Sequence, residues 1–274
     1  MSNYIIPNLQ IEKIEEYLNS GKRLDGRGVG DYRKIIVEDG ISKNSASAVS
    51  VKFGKTEVLC GVHLSPTVPY PDSPAEGTFM TNAELHPMAS QQFDIGRPGV
   101  ESVELSRVID RGIRESGFID FKGLCIEEGK KVWQVFVDII AINDDGNLFD
   151  VSGLAALIAL GKARMPVYNA ETDKVEDGFS EDGIPLNKDV MSFSMTFYKV
   201  GNKVVVDPVK DEEAIAKFRL TIAVGSDEEG NARITAMQKG GAGTINSEDM
   251  ENILKLAEDK WKEMFPKVKE YAFG

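Results

Sequence analysis

Hydrophobic positions recur along the chain in two rhythms, a period near 3.6 that marks helices and a period of two that marks strands. Between Pro7 and Ser20, Ile11, Ile14 and Leu18 fall on one helical face, with Pro7 near the start and Gly21 just past the end. That spacing predicts an amphipathic N-terminal helix. From Lys34 the rhythm shortens, and strands are predicted over Lys34–Glu38, Ser45–Phe53 and Thr56–Leu64, the last two joined by Gly54-Lys55 as a tight hairpin. Four prolines make Ser65 to Gly77 a loop, followed by a strand over Thr78–Leu85. Glu101 to Gly117, with Val103, Leu105, Val108, Ile109 and Ile113 among charges, predicts a surface helix. Strands follow at Leu124–Ile126 and Lys131–Asn143, the second rich in β-branched residues. The turn residues Asp144-Asp145-Gly146-Asn147 then lead into Leu148–Ala163, a helix too apolar to lie on the outside.

Residues Pro166 to Lys188 are polar and contain Gly178, Gly183 and Pro185, so a connection between two halves is expected there. The grammar of strands followed by a helix then repeats: Val190–Lys199, Lys203–Asp207, Phe218–Val224 and Ala232–Gln238, with a last helix from Ser247 to about Phe265. In that helix Met250, Ile253, Leu254, Ala257, Trp261 and Met264 form one stripe, which places Leu254 and Trp261 in the expected core. Glu248 and Asp249 suit its N-terminal dipole. The pattern is that of an internally duplicated α+β fold, with mixed sheets and helices packed between and outside them. The expected divisions are a helical extension (1–21), a first half (22–170), a connection (171–189) and a second half with the C-terminal helix (190–274).

Composition adds two constraints. Lysine and arginine total 32 against 44 aspartate and glutamate, a formal charge of −12, so contact with a polyanion has to come from a local basic patch. No apolar run reaches the length of a membrane span, and Met1 to Gln10 lacks the flank and core of a signal peptide. A cytoplasmic protein with no membrane contact is therefore expected. Cys60 and Cys125 lie in apolar strand-like segments without metal-type spacing and are expected to be buried, inert thiols.

No Walker A loop, zinc spacing, nucleophile elbow or kinase signature is present. His63 and His86, both expected on strands, are far apart and read as structural. Gly240-Gly241-Ala242-Gly243 precedes the last helix, where backbone amides can cradle an anion, although such glycines are as often plain turn geometry. Arg107, Arg111 and Arg114 are spaced i, i+4, i+7 on one helical face, so their guanidinium groups can grip successive phosphates. The competing reading is a solvated face with local ion pairs, because Glu104, Asp110 and Glu115 lie at pairing distance in the sequence. Asp207, Glu212 and Glu213 follow a strand and suit either a magnesium ion or a solvated turn.

Arg23-Leu24-Asp25-Gly26-Arg27 with Arg33 downstream, the hairpin Ser45–Leu64, and Glu104-Leu105-Ser106-Arg107 together resemble the ribonuclease PH family. Val206-Asp207-Pro208 with Glu212-Glu213, and Met237-Gln238-Lys239-Gly240-Gly241, add to the resemblance, which runs in order from about residue 20 to 265. Within that family the chain is most similar to the non-catalytic subunit type of the archaeal exosome.

The resemblance implies a duplicated α+β fold and a hexameric ring in which three copies alternate with three catalytic ribonuclease PH-like subunits. It also implies RNA-binding cap subunits and single-stranded RNA threaded through a central pore. Catalytic relatives degrade RNA from 3′ to 5′ with inorganic phosphate, so magnesium and phosphate are expected at the partner's site and no cofactor in this chain. By the same resemblance Arg107 and Arg111, and with less support Arg114, are RNA contacts, while Asp207 and Glu213 occupy positions of metal-holding carboxylates and are vestigial here.

Where catalytic members carry a phosphate loop, this chain reads Asn143-Asp144-Asp145-Gly146-Asn147-Leu148-Phe149-Asp150. At about 6 Å and an effective dielectric near 20, each carboxylate opposes a phosphate by about 3 kcal/mol. A helix dipole contributes only about 0.3–1 kcal/mol. An inactive chain is the expectation, with an active phosphate-dependent 3′-to-5′ exoribonuclease as the alternative.

Overall fold

In a computed structural model, residues 4–169, 171–227 and 229–274 are described. Of the predicted N-terminal extension, residues 1–3 lie outside them. Helix α1 (Asn8–Asn19) is followed by strands β1 (Ile35–Asp39), β2 (Ser47–Phe53), β3 (Thr56–Thr67) and β4 (Thr78–Leu85). Next come α2 (Val100–Arg114), β5 (Cys125–Glu127), β6 (Lys131–Asn143) and α3 (Leu148–Lys162). The chain continues through β7 (Arg164–Asn169), β8 (Lys174–Gly183), β9 (Phe193–Val200) and β10 (Lys203–Val206). It ends with α4 (Lys210–Ala214), β11 (Phe218–Ser226), β12 (Ala232–Gly240) and α5 (Ser247–Phe273).

The first sheet runs β1-β2-β3-β6-β4, antiparallel except where β4 joins β6 in parallel, and β5 pairs with the start of β6. The second runs β10-β9-β11-β12, antiparallel throughout. Helix α3 lies between the two, touching β2 and β3 on one side and β9 on the other. Every residue from Asp150 to Leu160 is buried there, which accounts for its apolar character on all sides. Gly161 lets α3 approach α5 closely: a Cβ on it would sit 2.6 Å from the carbonyl oxygen of Ala272. Helix α1 packs Ile14 and Leu18 against Tyr198, Val200 and Val205 of the second sheet.

Several expectations are corrected. The segment expected to connect the two halves, for which no strand was expected, folds over most of its length into the two-stranded ribbon β7–β8, with Asp173 in the left-handed region at its turn. Met165 and Tyr168 anchor it to the core, while nine of the ten β8 residues are exposed, so no apolar alternation signalled the strand. Helix α5 continues past Phe265 through Pro266 to Phe273. An interior proline costs about 3 kcal/mol, offset by the burial of Val268 and Ala272 one and two turns beyond Met264. On the same helix Trp261 is 6% exposed but Leu254 is 39% exposed, so Leu254 leaves the expected core. Cys60 is buried and Cys125 half-buried, both as free thiols. His63 lies on β3, whereas His86 sits just past β4.

Candidate functional site: an arginine cleft and an occupied anion loop

The core-facing positions Leu105, Ile109 and Ile113 seat α2 and turn its opposite face outward. Arg107, Arg111 and Arg114 all line one open cleft of about 370 Å³, whose far wall is Phe79, Met80 and Thr81 of the edge strand β4. Of the three local ion pairs that spacing allowed, only Asp110–Arg114 forms. Arg114 donates to both Asp110 oxygens (3.0 and 2.8 Å) and to the carbonyl of Phe79 (2.8 Å), and its guanidinium lies 5.5 Å from the Phe79 ring centroid. Glu104 turns to Arg219 at 2.6 Å instead. Arg111 has a single long contact, Nη1 to Gln238 Oε1 at 3.4 Å, and Arg107 has no ion pair or hydrogen bond among the described residues. The local geometry therefore leaves Arg107 and Arg111 with free donors and commits Arg114 to bracing the cleft.

The second feature is the turn before α3. Gly146 (φ 88°) and Asn147 (φ 61°) are both left-handed at the turn that leads into α3. Gly146 is required there, since a Cβ would lie 2.6 Å from the carbonyl oxygen of Pro208. The amides are already taken: Gly146 N–H donates to Asp144 Oδ1 (3.1 Å) and Asn147 N–H to Glu213 Oε2 (3.2 Å). The chain's own carboxylates stand where an external anion would bind.

This changes the physical reason for anion exclusion. Asp144 is ion-paired with Lys210, and Asp145 lies 3.7 Å from Arg33, so neither is a bare charge. Burial pushes Asp150 up to about 7, an effect only partly offset by hydrogen bonds from Thr196 and Asn147. The Gly146 and Asn147 amides are occupied and the neighbouring carboxylates are paired, so the loop is not the set of bare charges that its sequence suggested. Tyr4 lines the adjacent cleft of about 250 Å³ together with Asp144, Lys210 and Glu213, and its hydroxyl donates to Asp211 Oδ1 at 2.6 Å. That hydrogen bond pushes the Tyr4 phenol up to about 12.

Asp207 and Glu213 are not in a solvated turn. Asp207 is fully buried and left-handed (φ 47°), and both oxygens accept from protein donors. Oδ2 accepts from Arg33 N (2.7 Å), Arg33 Nε (2.9 Å) and Arg27 Nη1 (3.1 Å), and Oδ1 accepts from Arg33 Nη2 (2.6 Å) and Asn147 Nδ2 (2.9 Å). Burial alone would raise its pKa, but the hydrogen bonds and charge of Arg33 hold it below the usual carboxylate range. Glu213 is half-buried, desolvation pushes it upward, and Tyr198 Oη donates to it at 3.0 Å. Glu212 is chelated by the buried Arg23, which also donates to the carbonyls of Val206 and Asp207. With both Asp207 oxygens facing cationic or amide donors, and the Glu213 oxygens accepting from Tyr198 and the Asn147 amide, these residues do not fit a metal ion.

Arg23, Arg27, Arg33 and Asn147 are therefore the residues that hold the site, and local spacing alone did not single them out. The signal was indirect: a run of arginines in an acidic chain, upstream of a strand-end acid cluster. In the glycine segment 240–243 the Gly243 amide is already spent on the carbonyl of Lys217 at 2.8 Å.

Two strand-then-helix halves around a shared buried helix, with an arginine cleft and a left-handed acidic turn before that helix, define the duplicated ribonuclease PH-like class of α+β protein. The chain belongs to the 3′ exoribonuclease family: the model of its domain 1 matches residues 31–166 and that of its domain 2 matches residues 191–260. Among similar proteins is the exosome complex component Rrp42 of Methanosarcina acetivorans, 40% identical over 95% of this chain and 93% of the relative. Rrp42 of Archaeoglobus fulgidus is 37% identical over 98% of this chain and 100% of the relative. A solved structure of the Archaeoglobus fulgidus exosome with RNA bound to the active site matches with TM-score 0.82 at 38% identity, covering 94% of this chain and 98% of that one. An archaeal exosome core matches with TM-score 0.81 at 36% identity.

Proposed function

We propose that this chain is a non-catalytic subunit of an archaeal exosome ring, in which it presents Arg107 and Arg111 to single-stranded RNA beside a partner's active site. The observation that carries this reading is the contrast between two sites on one molecule. The loop that would admit a phosphate is filled by Asp144 and Glu213, while the neighbouring helix offers two arginines with free donors. Similarity to exosome components along nearly the whole chain supports the setting.

Three copies alternate with three catalytic ribonuclease PH-like subunits, which supply magnesium and inorganic phosphate chemistry, and RNA-binding caps sit on the ring. In this arrangement the Arg107 and Arg111 guanidiniums make charge-assisted contacts to successive phosphates and hold the strand in register for the partner. Arg114 contributes by fixing α2 to the edge of β4 rather than by gripping RNA, which narrows the expected RNA contacts from three arginines to two. The hold is independent of sequence, because phosphate contacts position a strand without reading its bases. Among the described residues no helix is long and apolar enough to cross a membrane, and the reading places the complex in the cytoplasm.

The test is phosphorolysis by the purified chain with RNA, magnesium and phosphate, alone and after mixing with a catalytic-type subunit. No release of nucleoside diphosphates is expected from the chain alone, and release is expected from the mixture. Phosphate-dependent turnover by the chain without partner would overturn the reading.

A further inference from the structure

Strands β3, β6 and β4 turn one side of the first sheet towards α3 and the other outward. The pairing register places His63 and Met80 on either side of Phe136 on the outward side. The His63 and Phe136 rings stack with centroids 4.4 Å apart and an interplanar angle of 1°. His63 is 52% exposed at its side chain and Met80 is 43% exposed. One row along, β3 carries Gly61, beside which the space of a side chain is open. Strands lie about 4.8 Å apart, so the row crosses the sheet over roughly 10 Å. At its far end Met80 is also a wall of the arginine cleft.

We propose that His63, Phe136 and Met80 form a platform on which bases of single-stranded RNA stack, extending the path that begins at Arg107 and Arg111. The inference rests on the phosphate-holding role of those arginines and adds a second kind of contact to it. The facing sides of the His63 and Phe136 rings cover each other, so a flat base stacks on the outer face of the half-exposed His63 beside the open Gly61 position, with the polarisable Met80 thioether at the far end of the row. The same face carries Asp138, which accepts from Asn82 at 3.0 Å and lies 3.4 Å from His63 Nδ1, together with exposed Glu84. Those carboxylates repel a phosphate backbone and favour a strand that turns its bases towards the sheet while its phosphates stay on α2.

The experiment measures binding of the full chain to a short oligoadenylate and to an abasic ribose-phosphate oligomer of equal length, across a salt series. Expected for the wild type is tighter binding of the oligoadenylate. His63→Ala combined with Phe136→Leu should lower oligoadenylate affinity at least about fivefold and leave the abasic affinity and the salt slope unchanged. His63→Ala alone, at a half-exposed position, should act in the same direction and serves if the double variant does not fold. Unchanged oligoadenylate affinity in both variants, or an equal loss for the abasic oligomer, overturns the platform. So does a variant that keeps its RNA preference but no longer joins a protein partner, since that outcome makes the face a protein interface. R107E/R111E separates the two ideas: a flattened salt slope with retained base preference supports both. An unchanged slope with lost base preference in the His63 variants removes the phosphate reading alone.

Discussion

Asp207→Asn tests whether the buried Asp207 acts as a structural brace. In the folded chain the Asp207 side chain is 0% exposed and those of Arg33 and Arg27 are 8% and 14% exposed, so the cluster is screened little by solvent. Removing one partner of a buried ion pair costs about 3–5 kcal/mol, mostly from the charge left uncompensated. Asparagine keeps the shape and tolerates the left-handed backbone, and Arg33 retains the carbonyls of Asp145 and Gly146 as acceptors. The lower end, about 3 kcal/mol, is therefore expected, read as a lower urea midpoint at neutral pH with an unchanged slope. Arg33→Met should cost at least as much, and the double variant should fall short of the sum by about 1–3 kcal/mol, since the residues share one network. Because the folded pKa of Asp207 is depressed, its contribution is complete above the ordinary carboxylate pKa and is lost as pH falls through the lower folded value. RNA degradation by a ring assembled with Asp207→Asn should match that of the wild type. A cost under about 1 kcal/mol, or stabilisation of the wild type by magnesium that Asp207→Asn abolishes, would refute the brace.

Asp150 works in the opposite sense. Its folded pKa is raised to about 7 by burial, so its share of stability is greatest below the unfolded pKa near 3.9 and declines as pH rises towards 7. Asp150→Asn should flatten the fall in urea midpoint between mildly acidic and neutral pH, and an unchanged pH dependence would place the titration elsewhere. Changing Arg107 and Arg111 together to glutamate should reduce the slope of log affinity against log salt by at least about 1.4, at roughly 0.7 per phosphate of a single strand. That loss should be alike for different RNA sequences in a ring whose mass is intact. On α5, Trp261→Ala should cost about 3–5 kcal/mol, whereas Leu254→Ala at an exposed position should stay within about 1 kcal/mol, both measured by urea unfolding.

The sequence by itself determined most of the secondary structure, because burial on one face imprints a period on the residues that form it. The all-round apolar run of Leu148–Ala163 announced a helix with protein on every side, and α3 is indeed clasped between two sheets. The run from Arg23 to Gly241 carried enough family pattern to place the chain among ribonuclease PH-like proteins. What no local period encodes is which charge meets which. Asp207 accepts from Arg33 174 positions away and from Arg27 180 positions away, and only the folded topology turns an apparent metal-holding or solvated acid into a buried brace. The acidity of the loop before α3 was legible, but that Asp144 and Glu213 take the loop amides is a geometric fact that only the fold supplies. Leu254 and Trp261 share one stripe in sequence, yet only tertiary packing decides which side of that stripe the sheet and α3 cover. The β7–β8 ribbon, exposed along most of one strand, left no hydrophobic imprint at all. Local periodicity records that a face is buried, and long-range contact decides what it is buried against and which polar groups become partners there.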